Sequence, residues 1–342
     1  KRAYLQALAD VARMHGADLV VPVSEEAMHV AFLPQLLPGL RVLAMPPGAM
    51  LALHHKGRFV ELMREIGLGV PDSAPLGSAE AAALAAADRV VVKPVHSASG
   101  RGVRILARGE ALPAADAASP AIVQRFVPGE EFSSSTLAHA GQVQGTVVYR
   151  GAQFAGTVAV AFERVDHPAI EAWIARAVAA LGWTGFISFD LRVTPEGEVF
   201  GIECNPRTTS GLHFFRTEDI APAILAPGQV ALRHRAETRL QQFWSCLTET
   251  QLAAFRRDPA FGRHLRALLT TRDVCWSARD AMPLLTMPWT AWPILRLAAQ
   301  RRVPFGEVAT LDVGWFEGEA SAPSTSTAAA PARAASRTSA AT

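Results

Sequence analysis

Residues 185–207, GFISFDLRVTPEGEVFGIECNPR, restrict the fold of this chain more than any other stretch. Two strand-like runs flank Pro195, Glu196 and Gly197, residues that favour a turn, so the segment predicts a β-hairpin. Side chains alternate along a strand. Glu203 and Asn205, two apart, therefore share one face while Cys204 takes the other. Asp190 on the first strand can join that face. Two carboxylates and an amide oxygen suit a hard divalent cation such as magnesium, which takes few protein ligands and shares its shell with phosphates. Arg207, two residues further on, adds a guanidinium fork for a phosphate or carboxylate. The plain alternative is a hairpin with a polar, solvated face.

Two further segments bear on that choice. In residues 89–106, RVVVKPVHSASGRGVRIL, the apolar run Val90, Val91, Val92 leads to Lys93 and then to a small-residue loop over 97–102. Backbone N–H groups of such a loop approach phosphate oxygens closely, and the ammonium neutralises their charge. The same string also describes an ordinary strand–loop–strand connection, and it lacks the Gly-Lys-Ser/Thr of a Walker loop. Residues 121–137, AIVQRFVPGEEFSSSTL, run from an apolar entry through Gln124, Phe126 and Val127 to a turn at Pro128 and Gly129. Backbone groups at 126 and 127 could read an adenine edge, and Glu131 could accept ribose hydroxyls. A strand corner with a solvated acidic pair is the commoner fate of such a string.

Taken in this order, the three segments resemble the ATP-grasp superfamily, over about residues 53–215. The pattern is similar to the carbamoyl-phosphate-synthetase-like, carboxylate–amine ligase branch. The stretch 54–73, HHKGRFVELMREIGLGVPDS, resembles its entry helix. The resemblance implies an α/β (α+β) fold with ATP and Mg2+ as cofactors, Mn2+ being a substitute. It implies that Lys56 and Lys93 reach the ATP phosphates and that Ser97, Ser99, Gly100 and Gly102 cover them. Gln124, Phe126 and Val127 would hold adenine, and Glu131 the ribose. Asp190, Glu203 and Asn205 would hold the metal. Arg207 would act with Lys93 in catalysis, and with Ser210 and His213 on the substrate.

The implied reaction is ATP-dependent ligation. A substrate carboxylate becomes an acyl phosphate, and an amine or similar nucleophile displaces the phosphate. Two rivals stay open: phosphorylation of bicarbonate or carbamate, and a non-catalytic nucleotide-binding regulatory module. Biotin carboxylation is disfavoured, because no glutamate stands between Arg207 and His213 where those enzymes place one. His96 stands where a small residue is usual, and Gln124 where many relatives carry glutamate.

Composition agrees with a globular enzyme that handles small molecules. Half of the 342 residues are hydrophobic and the net charge is +2, so no basic field argues for nucleic acid. The partners implied are a small-molecule carboxylate and a nucleophile; self-association into a homo-oligomer stays open. The three cysteines have no metal-site spacing and fit a reducing cytoplasm. The chain opens at Lys1 without methionine and without a signal-peptide pattern, which leaves truncation open.

Punctuation divides the chain into a partial Rossmann-like unit over 1–72, a lid subdomain over 73–124, a mixed-sheet catalytic subdomain over 125–228, a mainly helical region over 229–319 and a disordered tail over 320–342. Residues 281–299 are apolar. Pro283, Pro288, Pro293 and Arg296 argue against a membrane span, so this segment is expected to pack on the catalytic domain, with membrane-surface contact the less favoured alternative. The tail is Ala-, Ser-, Thr- and Pro-rich and cannot bury enough apolar surface to offset its ordering entropy. Truncation after Glu319 is therefore expected to leave the melting temperature and ATP affinity unchanged, which a thermal melt and a nucleotide titration check.

Overall fold

The computed structural model describes residues 2–97, 100, 102–277 and 279–301. Ser99 and the tail over 320–342 lie outside them. The N-terminal unit pairs β1 (Leu19–Val20) with β2 (Arg41–Val42) in parallel. Around this pair lie α1 (Arg2–Met14), α2 (Ala27–Val30) and α3 (Leu33–Leu36). Ala9 and Ala12 of α1 bury against Leu33 and Leu40. Both strands are shorter than the apolar runs at 19–23 and 41–45 predict. Pro22 has no N–H to pair, and Pro46 and Pro47 lead into α4 (Pro47–His54).

Helix α5 (Lys56–Glu65) begins at a histidine cap: the His55 ring Nδ1 accepts from the Arg58 N–H at 3.2 Å. A four-stranded antiparallel sheet follows, formed by β3 (Ser73–Pro75), β4 (Val90–Pro94), β5 (Arg104–Leu106) and β6 (Ala121–Arg125) in the order β3-β6-β4-β5. Helix α6 (Ala79–Ala87) packs on it through Ala81 and Ala85, small residues that let Val90, Val92 and Val123 approach closely. The Ser78 hydroxyl caps α6 by accepting from the Ala81 N–H at 3.1 Å.

The larger sheet has seven strands. They are β7 (Glu130–His139), β8 (Gln142–Ala155), β9 (Val158–Val165), β10 (Gly185–Val193), β11 (Val199–Asn205), β12 (Arg239–Gln241) and β13 (Arg272–Asp273), in the order β11-β10-β7-β8-β9-β12-β13. The hairpin read from residues 185–207 is β10 and β11, antiparallel, with Asp190 opposite Glu203. Gly129 makes the entry corner possible. It has φ of +124°, and a Cβ there would stand 1.9 Å from the Val193 carbonyl oxygen, so no other residue fits unchanged.

Helix α7 (Pro168–Leu181) lays Ile170, Trp173, Ile174, Ala177 and Val178 on one face, the spacing of an amphipathic helix. That face meets Phe59 and Met63 of α5 and Phe189 and Leu191 of β10 in the main core. Phe189 is fully buried, and its ring stands edge-on to Trp173 at 5.2 Å between centroids.

The C-terminal region comprises α8 (Thr217–Leu225), α9 (Phe243–Phe255), α10 (Phe261–Thr270) and α11 (Met282–Arg301) besides β12 and β13. The mainly helical region expected over 229–319 is interrupted by β12, which pairs antiparallel with β9. Arg239 forks onto Glu163 of β9 at 2.7 and 2.9 Å while Leu240 beside it is buried, so sheet pairing overrides helical preference there. The expected packing of residues 281–299 is also not met. Helix α11 continues through Pro288 and Pro293, buries only Ala298 among its described residues, and leaves Trp289 86% exposed. Among the described residues no helix is long and apolar enough to cross a membrane.

The aromatic contact of Phe189 with Trp173 and Phe59 ties β10 to both helices above it. Phe189→Ala is expected to cost about 3–5 kcal/mol through lost transfer energy and the cavity left behind, read as a shift in the midpoint of a urea unfolding curve.

Candidate active site

Register alone brings the polar residues of the main sheet together. Asp190 pairs with Glu203 on one side and with Ser133 of β7 on the other. The Ser133 hydroxyl donates to Asp190 Oδ1 at 2.6 Å, and Asn205 Nδ2 donates to Asp190 Oδ2 at 3.0 Å. Asn205 Oδ1 accepts from Arg207 Nη2 at 3.2 Å. The four residues Asp190, Glu203, Asn205 and Arg207 are thus neighbours.

Both predicted lysines reach this cluster. Lys93 leaves the end of β4, is 3% exposed, and donates to the Ile202 carbonyl at 3.0 Å. Lys56, at the start of α5 and equally buried, stands 3.2 Å from Glu203 Oε2. Its ammonium also donates to the Ser97 carbonyl at 2.9 Å, which ties α5 to the start of the small-residue loop. Gly100 and Gly102 continue that loop, both at positive φ.

The charges shift one another's protonation. Burial pushes the Lys93 ammonium down to about 8, against the pull of the Glu203 carboxylate. Burial first, and then the Glu203 charge, pushes Asp190 up. Burial would raise Glu203 as well, but Lys56 and Lys93 together outweigh it and hold its carboxyl low. Glu203 is the fixed anion of the pair, and Asp190 the one whose charge depends on what binds.

Other predicted residues are placed less uniformly. The Gln124 amide is buried and donates to the Ser73 hydroxyl at 2.9 Å, which leaves its oxygen as the acceptor. The Phe126 N–H is spent on the Arg89 carbonyl at 2.9 Å, and its ring lies under the Arg89 and Arg192 guanidinium groups. A backbone donor to adenine from this corner must therefore come from elsewhere than Phe126; Val127, beside it, is buried. Glu131 is exposed on β7, and its charge acts on Lys93 and Asp190. Ser210 and His213 lie in a 3-10 turn over Ser210–Phe214. That turn packs tightly on the sheet: a Cβ on Gly211 would stand 2.7 Å from Ser135 Cβ and Tyr149 Cε1. Burial lowers the His213 imidazole, and the charges acting on it are Arg235 and Asp273, not the lysine–carboxylate cluster.

Three contributors escaped the sequence reading. Glu25, 3% exposed, forms an ion pair with Arg207 Nη2. His54 is buried and stacks on His96 at 5.3 Å between ring centroids. Tyr149 donates its hydroxyl to Thr209 Oγ1 at 3.1 Å, and Thr209 in turn donates to the Ser134 carbonyl. The available signal for Glu25 is its place: an acidic residue just beyond the first strand of a βα unit, where such folds bind ligands.

Among the described residues, no three His, Cys, Asp or Glu side chains gather into a metal-holding group. Asp190 and Glu203 with the Asn205 amide oxygen form a partial set of hard donors, the kind that needs a ligand's own oxygens to complete a shell.

The model of the ATP-grasp domain family matches residues 54–211. The chain carries an ATP-grasp domain. Lys56, Lys93, Asp190, Glu203 and Arg207 all lie within that matched span, and Glu25 lies outside it. No curated protein sequence matches the chain. Among solved structures, this chain is similar to biotin carboxylase from Campylobacter jejuni, with 16% identity, a TM-score of 0.53, and coverage of 67% of this chain and 60% of that one. It is similar to the biotin carboxylase domain of 2-oxoglutarate carboxylase from Hydrogenobacter thermophilus, at 16% identity and TM-score 0.50, covering 60% and 52%. Pyruvate carboxylase from Rhizobium etli matches at 19% identity and TM-score 0.50, covering 60% of this chain and 20% of that one. Such identities show the fold alone, and the chain spans at most three fifths of these relatives.

His54 gives the site a pH signature. Burial first, then the Lys56 charge, pushes its imidazole down to about 3. The native ring stays neutral while the unfolded ring takes a proton near its ordinary value, so the unfolded state binds more protons below about pH 6.5. Stability therefore falls as pH falls. From pH 7 to pH 5 His54 is expected to cost about 2 kcal/mol. His54→Asn should shrink the difference between urea unfolding curves at those two pH values by that amount.

Proposed function

We propose that this protein is an ATP- and Mg2+-dependent ligase that activates a carboxylate as an acyl phosphate and passes the acyl group to an amine or similar nucleophile. The observation that carries this reading is the meeting of two buried lysines with the Asp190, Glu203 and Asn205 donors on the strands of an ATP-grasp domain. Two solved proteins of the same fold are described with ATP- or ADP-type nucleotides, one of them as the magnesium salt, which supports the choice of nucleotide and metal.

In this reading Asp190, Glu203 and Asn205 hold the metal. A metal held there would supply positive charge to offset charge developing on the phosphates. Lys93 and Lys56 supply fixed positive charge beneath the phosphates, in a dry site where such charge needs no reorganisation. Arg207 faces the transferred phosphoryl group; its Nε–H is buried without a partner among the described residues and offers a donor for an incoming oxygen. Ser97, Gly100 and Gly102 close over the nucleotide, with Gln124 and Val127 at adenine and Glu131 at the ribose. Closure would keep water from an acyl phosphate that hydrolyses readily. Asn205 Oδ1 accepts from Arg207 Nη2 and keeps a second lone pair for a metal.

The absence of glutamate between Arg207 and His213 favours an organic carboxylate over bicarbonate. We further propose that residues 73–124 act as the lid and 125–228 as the catalytic subdomain, and that the free thiols of Cys204, Cys246 and Cys275 suit a reducing cytoplasm.

The test is ADP release with ATP, magnesium and a library of carboxylates, each with and without amines. Turnover that needs both a carboxylate and an amine is expected. Glu203→Ala and Asn205→Ala should each reduce it more than about a hundredfold, since loss of a metal ligand removes several kcal/mol of transition-state stabilisation. Circular dichroism should find both variants folded. Near wild-type turnover in both would sink the metal assignment, and carboxylate-independent nucleotide binding without turnover would favour the regulatory module.

A further inference from the structure

Arg207 is held from outside its own domain. Its carbonyl accepts from the Ser188 hydroxyl at 2.9 Å, Nη1 donates to the Thr208 carbonyl at 2.9 Å, and Nη2 donates to Asn205 Oδ1 at 3.2 Å. These partners are neutral. Among the described residues, the anion bonded to the guanidinium is Glu25, which lies outside the matched span of 54–211. Asp190 stands one side chain further on, bonded to the same Asn205.

The mount that carries Glu25 is built rather than loose. Glu26 Oε1 accepts from the Val23 N–H at 2.9 Å and from the Ser24 N–H at 3.1 Å, closing a tight turn after β1. The Thr208 hydroxyl donates to the Val23 carbonyl and ties that turn to the residue after Arg207. Glu25 and Arg207 thus meet as a buried ion pair on two restrained segments, the arrangement in which charge and geometry both matter.

We infer that Glu25 is the positioning residue of Arg207: it draws the guanidinium away from Asp190 and aims it at the transferred phosphoryl group, so the N-terminal unit completes the ligase site. This rests on the ligase reading above, in which Arg207 faces that group. A nucleotide with a γ-phosphoryl should feel Glu25 through Arg207, whereas ADP should not.

The experiment compares the affinities of magnesium AMPPNP and magnesium ADP by calorimetry on the full chain. Arg207→Ala is expected to lower the AMPPNP-to-ADP affinity ratio about tenfold, the effect of one lost charge-assisted hydrogen bond. Glu25→Gln, which keeps the shape and removes the charge, should lower the ratio nearly as far, and Glu25→Asp should recover part of it. Thermal melts accompany each titration. If Glu25→Gln keeps the ratio while Arg207→Ala loses it, the positioning role is overturned and the ligase reading stands. Equal weakening of both nucleotides in the two Glu25 variants, or loss of cooperative melting in both, makes Glu25 a folding residue and also overturns it. If Arg207→Ala itself leaves the ratio unchanged, or the wild type binds neither nucleotide, the fault lies in the ligase reading.

Discussion

Two carboxylates opposite one another on paired strands repel, and burial makes the repulsion worse. Asp190 and Glu203 stand in that relation, and the site is arranged around relieving it. Lys56 reaches Glu203 from the start of α5, and Lys93 comes from the end of β4 in the other sheet. Ser133 and Asn205 donate to Asp190. The lysines have their own difficulty, since an isolated ammonium in a dry interior costs much. Carboxylates and cations therefore require each other, and neither sheet provides both.

This mutual need explains why separate elements must be held together. The lysines come from the entry helix and the smaller sheet, the carboxylates from the larger sheet, and Glu25 from the N-terminal unit. The main core fixes the frame: Phe59 of α5, Trp173 of α7 and Phe189 of β10 pack in one cluster, so the helix carrying Lys56 and the strand carrying Asp190 share one core. Charge balance is then set by packing far from solvent rather than by flexible surface pairs, which contribute little.

The sequence was most readable where a signal repeats over short range. The 185–207 hairpin shows its turn and its alternation, and Asp190 opposite Glu203 follows from pairing. Helix α7 shows its 3.6-residue period. Lys93 followed by small residues is likewise a local pattern. Glu25 is different in kind: it meets Arg207 across 182 residues, and no window of sequence holds both. Strand β12 covers three residues, too few for alternation to register. Helix α11 is apolar on every side, which reads as burial, but burial depends on what lies beside it. The surroundings of Phe126 and His213 were not legible, because the backbone partner of the one and the charged neighbours of the other come from distant residues.

Strand β12 also does something for β9. A terminal strand offers a ladder of unpaired N–H and C=O groups to any passing chain. The carboxyl end of β9 would be such a ladder, but Arg239, Leu240 and Gln241 pair with Glu163, Phe162 and Ala161. Gln241 then spends its amide on the Leu268 and Thr271 carbonyls, at 2.9 and 2.8 Å, anchoring the cover to α10 and the residue after it. Strand β12 thus covers that edge, and a chain cut before residue 239 would leave it open to strand recruitment even with Asp190, Glu203 and Arg207 all present.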